Sequence, residues 1–286
     1  MKAVDITDRV AWLRDYFNKM LDERLDRIST LSGVERERLI PINPADWIER
    51  NKYQIIRGYE YRKIADWIEK TKEDGIYLIS PLDHVEKTAN QISYKEHNVT
   101  GKIRASKCGV IPLHEQQVND FLLRNHRQGK MPPSNGDPVS FGLVYDRQLM
   151  AVMNYSKQKN AIRGASKADK HELVRLAIAH GFCVNGGASK LQKHCEEALR
   201  ALGQTEIFSY SNATINNGGV YRQLGFVSNG VEQGRVYVIM HDNRIESLAS
   251  LCSSEGAKLE DLAKYGNIAF RLGGNKLWVK NICEEV

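Results

Sequence analysis

Residues 171 to 190 read HELVRLAIAHGFCVNGGASK, and the order of features along them decides the fold. His171 to Ile178 is a strand-like run, Val184-Asn185-Gly186-Gly187-Ala188-Ser189-Lys190 is a glycine-rich turn, and an amphipathic helix opens directly from it. In that helix Leu191, Cys195, Ala198, Leu199 and Leu202 share one face, while Lys190, Lys193, Glu196, Glu197 and Arg200 fall elsewhere. Such a helix packs on a sheet and aims its N-terminus at the strand ends. A helix starting at Ala188 or Ser189 leaves its first N–H groups unpaired, and the glycines let backbone approach an anion without a clashing Cβ. The turn is therefore a candidate pyrophosphate site; a tight strand-to-helix turn without a ligand would need the same glycines. The chain has no Gly-Lys-Ser/Thr of a Walker A loop here and no G-x-G-x-x-G.

Around this stretch the pattern is that of an α/β (α+β) domain. Upstream, a helix carries Val118, Phe121 and Leu122, a polar loop runs from Asn125 to Asp137, and two alternating strands, Val139 to Tyr145 and Gln148 to Tyr155, turn at Asp146-Arg147 as a hairpin. Downstream come a strand at Glu206 to Tyr210, a helix near Gly219 to Leu224 and a strand at Arg235 to Met240. Together these predict a mixed sheet with flanking helices and one βαβ unit. The tail predicts a helix around Leu259 to Tyr265 and a hairpin, Asn267 to Arg271 with Lys276 to Val279.

The first 83 residues read as mostly helical, led by Val10, Leu13, Tyr16, Phe17, Met20, Leu21 and Leu25 at three- and four-residue spacing. Pro41 and Pro44 break the pattern, Asn43 is a candidate cap for the segment with Trp47 and Ile48, another helix runs through Tyr61 to Ile68, and Gly75 to Ile79 is strand-like. Residues 84–110, rich in Lys and Arg, read as a basic connector or a nucleic-acid-facing arm. The expected division is thus 1–83 helical, 84–110 connector, 111–240 catalytic, and 241–286 a C-terminal helix and hairpin on the same domain.

At 286 residues the chain can bury a large core without staples. Its five cysteines, Cys108, Cys183, Cys195, Cys252 and Cys283, form no CxxC pair, and they read as small buried thiols in a reducing compartment. No apolar run approaches the roughly 20 residues of a membrane span, and the charged N-terminus is unlike a signal peptide, so a soluble intracellular protein with no membrane partner is expected. The net charge of +6 favours an anionic partner.

The element order and anion turn over residues 110–240 resemble the GNAT acyltransferase fold. That resemblance implies that Leu176, Ala177 and Ile178 pair with the pantetheine arm of acetyl-CoA or another acyl-CoA. It gives the pyrophosphate to Asn185, Gly186, Gly187, Ala188, Ser189 and Lys190. Here a Val-Asn-Gly-Gly-Ala-Ser stretch stands in place of the family's R/Q-x-x-G-x-G/A. Four stretches are closer to phage Mom-type DNA modification proteins and a related domain of phage homing-endonuclease-like proteins: Asn125 to Lys130, His171 to Leu176, Val184 to Leu191, and Ser209 to Asn212 continuing to Tyr221 to Phe226. This second resemblance, over about residues 100–280, implies an enzyme of the host cytoplasm that moves an acyl-type group from CoA to an adenine amine, shielding phage DNA from restriction. The family histidine matches His126 and the strand arginine matches Arg175, whereas the family S-Y-A-D reads Ser209-Tyr210-Ser211-Asn212.

Acylating an exocyclic amine needs a proton acceptor, an oxyanion site and an acid for the leaving thiolate. His126 is the expected acceptor, because an unperturbed imidazole titrates near neutrality. Tyr221 is the expected acid, with a core role as its alternative. Asn212 cannot act as a base but can donate to a carbonyl or read an adenine edge. Ser209 and Tyr210 complete the candidate catalytic set, and Arg104, Lys107, Arg127, Lys130, Arg163, Lys167 and Arg175 are the candidate DNA contacts. Modifying a duplex base also requires flipping it, with Tyr210 or Tyr155 as a stacking surface. A DNA-binding or anti-defence module without chemistry, and a GNAT enzyme acting on a small amine or protein, are the rival readings; a homo-oligomer is compatible with each.

Overall fold

The structure, a computed structural model, describes residues 7–44, 76–132, 134, 136, 138–157, 170–212, 218–232, 236–240, 242–247, 251, 268–271 and 275–283. The chain divides into two compact units, one of Met1–Val85, Asn212–Asn217 and Val231–Asn275, the other of Glu86–Ser211, Gly218–Gly230 and Lys276–Val286.

In the first unit the long amphipathic helix is present as α1 (Thr7–Ser32). Leu13, Phe17, Leu21, Leu25 and Ile28 recur at three- and four-residue spacing and are fully buried, Leu13, Phe17 and Leu21 against Ile239. After a 3-10 turn, β1 (Leu39–Pro41) runs parallel to β2 (Tyr77–Ile79), the strand expected after Gly75. Asn43 was expected to cap a following helix; its Nδ2 instead donates to the Arg14 carbonyl at 2.9 Å and to Asn18 Oδ1 at 2.7 Å on α1. The segments around Trp47, Tyr61 to Ile68 and Leu259 to Tyr265 lie outside the described residues.

Residues 84–110, expected as a basic connector or arm, hold α2 (Val85–Lys95), β3 (Gly101–Arg104), a 3-10 turn (Ala105–Lys107) and the start of β4 (Gly109–Pro112). Few but well-spaced apolar groups, Val85, Ala89, Ile92, Ile103, Ala105 and Cys108, are buried there and suffice to anchor it. Then follow α3 (Glu115–Asn125), the hairpin β5 (Val139–Tyr145) and β6 (Gln148–Ser156), β7 (His171–Ile178), β8 (Phe182–Asn185), α4 (Gly187–Ala201), β9 (Glu206–Asn212), α5 (Gly219–Gln223) and β10 (Val227–Glu232). The hairpin turns at Asp146 and Arg147, both with positive φ, as a two-residue connection demands.

The mixed α/β sheet expected from the sequence has seven strands in the order β10-β14-β9-β7-β6-β5-β4, where β14 is Asn275–Asn281. The tail hairpin is not formed. The strand β13 (Ile268–Arg271) pairs instead with β11 (Val236–Ile239), which also pairs with β12 (Ile245–Ser247), while β14 inserts between β10 and β9. A strand buried on both faces, with Leu277 and Trp278 inside, gains more between two strands of a large sheet than from a two-stranded ribbon. Among the described residues, Trp278 is the largest fully buried side chain. Its indole stacks on Tyr221 at 5.4 Å between centroids and donates to Ser211 Oγ at 2.8 Å.

One face of α4 buries Leu191, Cys195 and Leu199, as its spacing requires. Glu196 on the same helix is also buried, and it is satisfied: it accepts from Gln192 at 2.7 Å, from Arg200 at 3.2 Å and from Lys280 on β14. Of the cysteines, Cys108, Cys183 and Cys195 are buried thiols as expected, whereas Cys283 is exposed.

Gly218 caps α5 with φ +79°, and a Cβ there would lie 1.9 Å from Trp278 Cζ2. Gly218→Ala combines a left-handed backbone with a clash against the central tryptophan, so it is expected to cost about 3 kcal/mol in urea unfolding.

Candidate functional site

The large sheet is two sheets held at one seam. Strands β7 and β9 run parallel across the seam, and they pair over three residues: His171 with Ile207, Glu172 with Phe208, Leu173 with Ser209. Beyond that rung β7 continues to Ile178 along β6, and β9 continues to Asn212, so a wedge opens between them. Ser209 marks its apex, its buried hydroxyl donating to the Leu173 carbonyl at 2.8 Å. Among the described residues, the backbone of Val174 to Ile178 therefore has β6 on one side and no strand on the other. Leu176, Ala177 and Ile178, singled out in the sequence, lie on this stretch.

A bulge sits at the start of the wedge. Tyr155 faces Leu173 and Asn154 faces Arg175, which leaves Val174 without a partner on β6. The bulge turns Arg175 away from the face where Leu173 is buried. Its signal was absent from the sequence, because a valine is the ordinary strand residue.

Tyr221 stands at the β9 side of the wedge. Its hydroxyl donates to the Tyr210 carbonyl at 3.2 Å, one residue past the last rung. Burial raises its pKa, so the phenol is protonated at neutral pH, and Ser209, Glu172 and Arg175 all bear on it electrostatically. Tyr210 is half-buried and packs edge-on to Phe208 at 5.8 Å. Tyr155, expected as a stacking surface, is instead fully buried, its hydroxyl donating to Gln192 at 2.7 Å. Asn212 closes β9; its side chain lies outside the described residues, as do Arg163 and Lys167.

The glycine-rich turn does open a helix, one residue earlier than the spacing predicts. Gly186 is the N-cap, with φ +76°, and Gly187 begins α4. Each glycine also has a steric reason: Gly186 needs the left-handed region, and a Cβ on Gly187 would meet Val184 Cγ1 at 3.0 Å and Leu143 Cδ1 at 3.2 Å. The first intrahelical bond runs from the Lys190 N–H to the Gly186 carbonyl, which leaves the amides of Gly187, Ala188 and Ser189 at the free end of the helix. Asn185, Gly186 and Ser189 are exposed.

Strand β8, whose last two residues open the glycine-rich turn, brings basic residues to that end. It pairs parallel to β3, with Arg104 opposite Asn185, so Arg104 and the following Lys107, both exposed, flank the helix N-terminus. Lys190 has a scaffold role: its ammonium donates to the carbonyls of Ala105 at 3.0 Å and Cys108 at 2.6 Å, fastening the 3-10 turn onto α4. From the same end a groove of about 350 Å³ runs between α4 and α5, lined by Ser189, Gln192, Lys193, Gln223, Leu224 and Lys280 among others. A larger depression of about 670 Å³ lies at the opposite end of α4, around Gly203, Thr205 and Cys283, and holds none of the candidate groups.

His126, Arg127, Lys130 and Arg175 are gathered at the end of α3. His126 is the C-cap of that helix, and its Nδ1 accepts the Gln128 N–H at 3.1 Å, which leaves the proton of the neutral ring on Nε2. Arg175 donates from Nη2 to the Lys130 carbonyl at 3.3 Å and from Nη1 to the Val174 carbonyl at 2.8 Å. Burial pushes the His126 pKa down to about 3, helped by the charges of Arg175 and Lys87. The imidazole is thus neutral at physiological pH and a weak base, a hydrogen-bond donor through Nε2 in character. Among the described residues no cluster of three or more His, Cys, Asp or Glu could hold a metal ion, and no helix is long and apolar enough to cross a membrane.

No family model matches the chain, and no curated protein matches it. Among solved structures it is similar to the ribosomal-protein-S18-alanine N-acetyltransferase from Escherichia coli, with 14% identity over 63% of this chain and 96% of that one and a TM-score of 0.38. It is also similar to a Bacillus subtilis acetyltransferase in complex with CoA (13% identity, 61% and 99% covered, TM-score 0.36). A third is the aminoglycoside 6'-N-acetyltransferase from Enterococcus faecium (12% identity, 62% and 99% covered, TM-score 0.36).

A histidine with pKa 6.5 in the unfolded chain and about 3 in the folded one takes its proton first in the unfolded chain. Its contribution to stability is therefore present above about pH 6.5 and is lost as pH falls toward 3. Thermal unfolding followed from pH 7 to pH 4 is expected to show a falling melting temperature, and His126→Gln is expected to make that fall shallower.

Proposed function

We propose that the protein is a GNAT-type acyltransferase that moves an acyl group from a CoA thioester to a nucleobase amine in DNA, as Mom-type modification proteins do. The observation that carries the acyl-transfer part is the wedge between β7 and β9, with a protonated tyrosine at one side and an open helix N-terminus beyond β7. An arm with two amides fits an unpaired strand edge, where the backbone groups of Val174 to Ile178 offer donors and acceptors. A pyrophosphate suits the free amides of Gly187, Ala188 and Ser189, with Arg104 and Lys107 beside them, and the α4–α5 groove has room for the nucleotide end. Acyl-CoA is the cofactor of this reading.

The chemistry follows from that placement. The amine nitrogen attacks the thioester carbonyl, a C–N bond forms, and the oxyanion is met by the backbone amide at the Val174 bulge, which has no ladder partner. The nitrogen then carries a positive charge and readily loses a proton, and Glu172, on the same strand and bearing on Tyr221, takes it. The C–S bond breaks as the carbonyl re-forms, and Tyr221 gives its proton to the leaving thiolate. His126 fits the role of a donor that orients the acceptor, because its low pKa makes it a poor proton acceptor. DNA as the acceptor rests on the +6 net charge, on the grouping of Arg127, Lys130 and Arg175, and on the sequence resemblance.

The test is to co-express the protein with plasmid DNA, digest the DNA to nucleosides and compare masses, with acetyl-CoA binding measured on the purified protein. A new nucleoside mass that falls about 10²-fold with Tyr221→Phe is expected. Arg104→Ala with Lys107→Ala is expected to weaken acetyl-CoA binding about tenfold by calorimetry, the worth of one charge-assisted contact. Absence of acetyl-CoA binding would sink the acyl-transfer reading, and tight binding with unaltered nucleosides would remove DNA as the acceptor.

A further inference from the structure

The face of the sheet that carries α3 is apolar along one row and polar along the next. Gly142, Val152 and Ala177 stand opposite one another across β5, β6 and β7, with Val152 and Ala177 packed on Val118, Phe121 and Leu122. Two residues along each strand, on the same face, come Ser140, Asn154 and Arg175. The polar row runs across three strands and ends at the edge of β7 that β9 has left. The turn carrying His126 and Lys130 lies over its Arg175 end.

Asn154 is fully buried, and its carboxamide is half satisfied. Its Nδ2 donates to Ser140 Oγ at 2.8 Å, while its Oδ1 has no hydrogen-bond partner among the described residues. Buried acceptors are nearly always paired in native proteins, so an unpaired one opposite Arg175, on the strand whose far edge is open, points to a donor supplied by a ligand. That donor must be uncharged. The charges of Arg175 and Lys87 already press the His126 pKa down, and the same field repels an alkylammonium group. An amine conjugated to a heteroaromatic ring carries N–H donors without a charge, and a phosphate chain attached to it suits Arg127 and Lys130.

Resting on the acyl-transfer reading, we propose that the Ser140–Asn154–Arg175 row is the acceptor subsite, where Asn154 Oδ1 accepts an N–H from the neutral exocyclic amine of a nucleobase. Arg175 supplies the charge that excludes cationic amines. Entry of the base lifts the His126 to Lys130 turn from the row. Asn154 is in this sense a specificity-determining residue that touches the amine to be acylated.

Thymine has no exocyclic amine, so labelled oligothymidylate strands with one central A, C or G, set against the all-thymine strand, read the contact directly. Fluorescence anisotropy with the full-length protein and CoA is expected to show one amine-bearing strand binding about tenfold tighter than all-thymine. Asn154→Leu, close in shape and apolar, is expected to bring that strand to the all-thymine level. The all-thymine and acetyl-CoA affinities stay unchanged. Asn154→Asp keeps an acceptor oxygen and is expected to retain the preference, which separates the contact from a folding defect in the leucine variant. No preference in the wild type, a preference that survives Asn154→Leu, or displacement of the strand by millimolar n-butylamine at pH 7 would overturn the subsite. If acetyl-CoA binds and the preference is absent, the subsite alone falls; if the preference holds and acetyl-CoA does not bind, the acyl-transfer reading falls and the subsite stands.

Discussion

Three parallel rungs, His171 to Leu173 against Ile207 to Ser209, hold the two halves of the large sheet together. Each half has reasons of its own to be where it is. Strand β7 is bound along its length to β6, and β9 is bound through Tyr221 and Trp278 to α5 and β14. Neither strand can follow the other beyond Ser209 without abandoning these partners. The last rung is reinforced by a side chain, Ser209 to the Leu173 carbonyl, at the point where backbone pairing stops. A split sheet is ordinarily a liability, because it leaves strand edges unpaired. Here the split brings backbone donors and acceptors, a protonated phenol and a bulge together.

The same economy appears at α4. Its N-terminus is held open by Gly186 and Gly187, and the segment that covers it, β3 with the following 3-10 turn, is fastened by Lys190 through two carbonyls. The lysine nearest the helix end therefore secures the surrounding backbone, and the more distant Arg104 and Lys107 provide exposed charge. Further along the helix, Glu196 ties α4 to β14 through Lys280. A buried carboxylate with three donors is satisfied but adds little net stability. What it does supply is a fixed register between α4 and the strand that carries Trp278, and hence between the helix N-terminus and Tyr221.

Charge decides what each candidate group can do. His126 looks like a general base in the sequence, surrounded as it is by polar residues; in the folded chain burial, and then the charges of Arg175 and Lys87, lower its pKa. Tyr221 is shifted the opposite way by the same burial, since desolvation disfavours the charged form of either group. Desolvation is the leading cause of both shifts, and Arg175 bears on both groups.

Much of the architecture was legible from periodicity alone. The alternation in Val139 to Tyr155, the three- and four-residue spacing of α1 and α4, and the glycines of the turn each reflect a local rule that the tertiary structure obeys. Local rules failed where a strand had to choose among partners. The FCVN segment of β8 has no alternation long enough to announce a strand and exists because β3 is available beside it. The two tail strands look like a hairpin in sequence and join different sheets, because pairing partners are set by burial of Trp278 and not by the turn between them. The candidate site divides in the same way. Sequence marked the glycine-rich turn and named Tyr221, Ser209, His126 and Arg175 as candidates, since these are residue types whose chemistry is evident out of context. Only the tertiary structure decided that β7 and β9 part after three rungs, that Val174 bulges, that burial lowers the His126 pKa, and that Asn154 keeps an oxygen without a partner among the described residues. Each of those depends on which groups meet across strands, and no single stretch of chain contains that information.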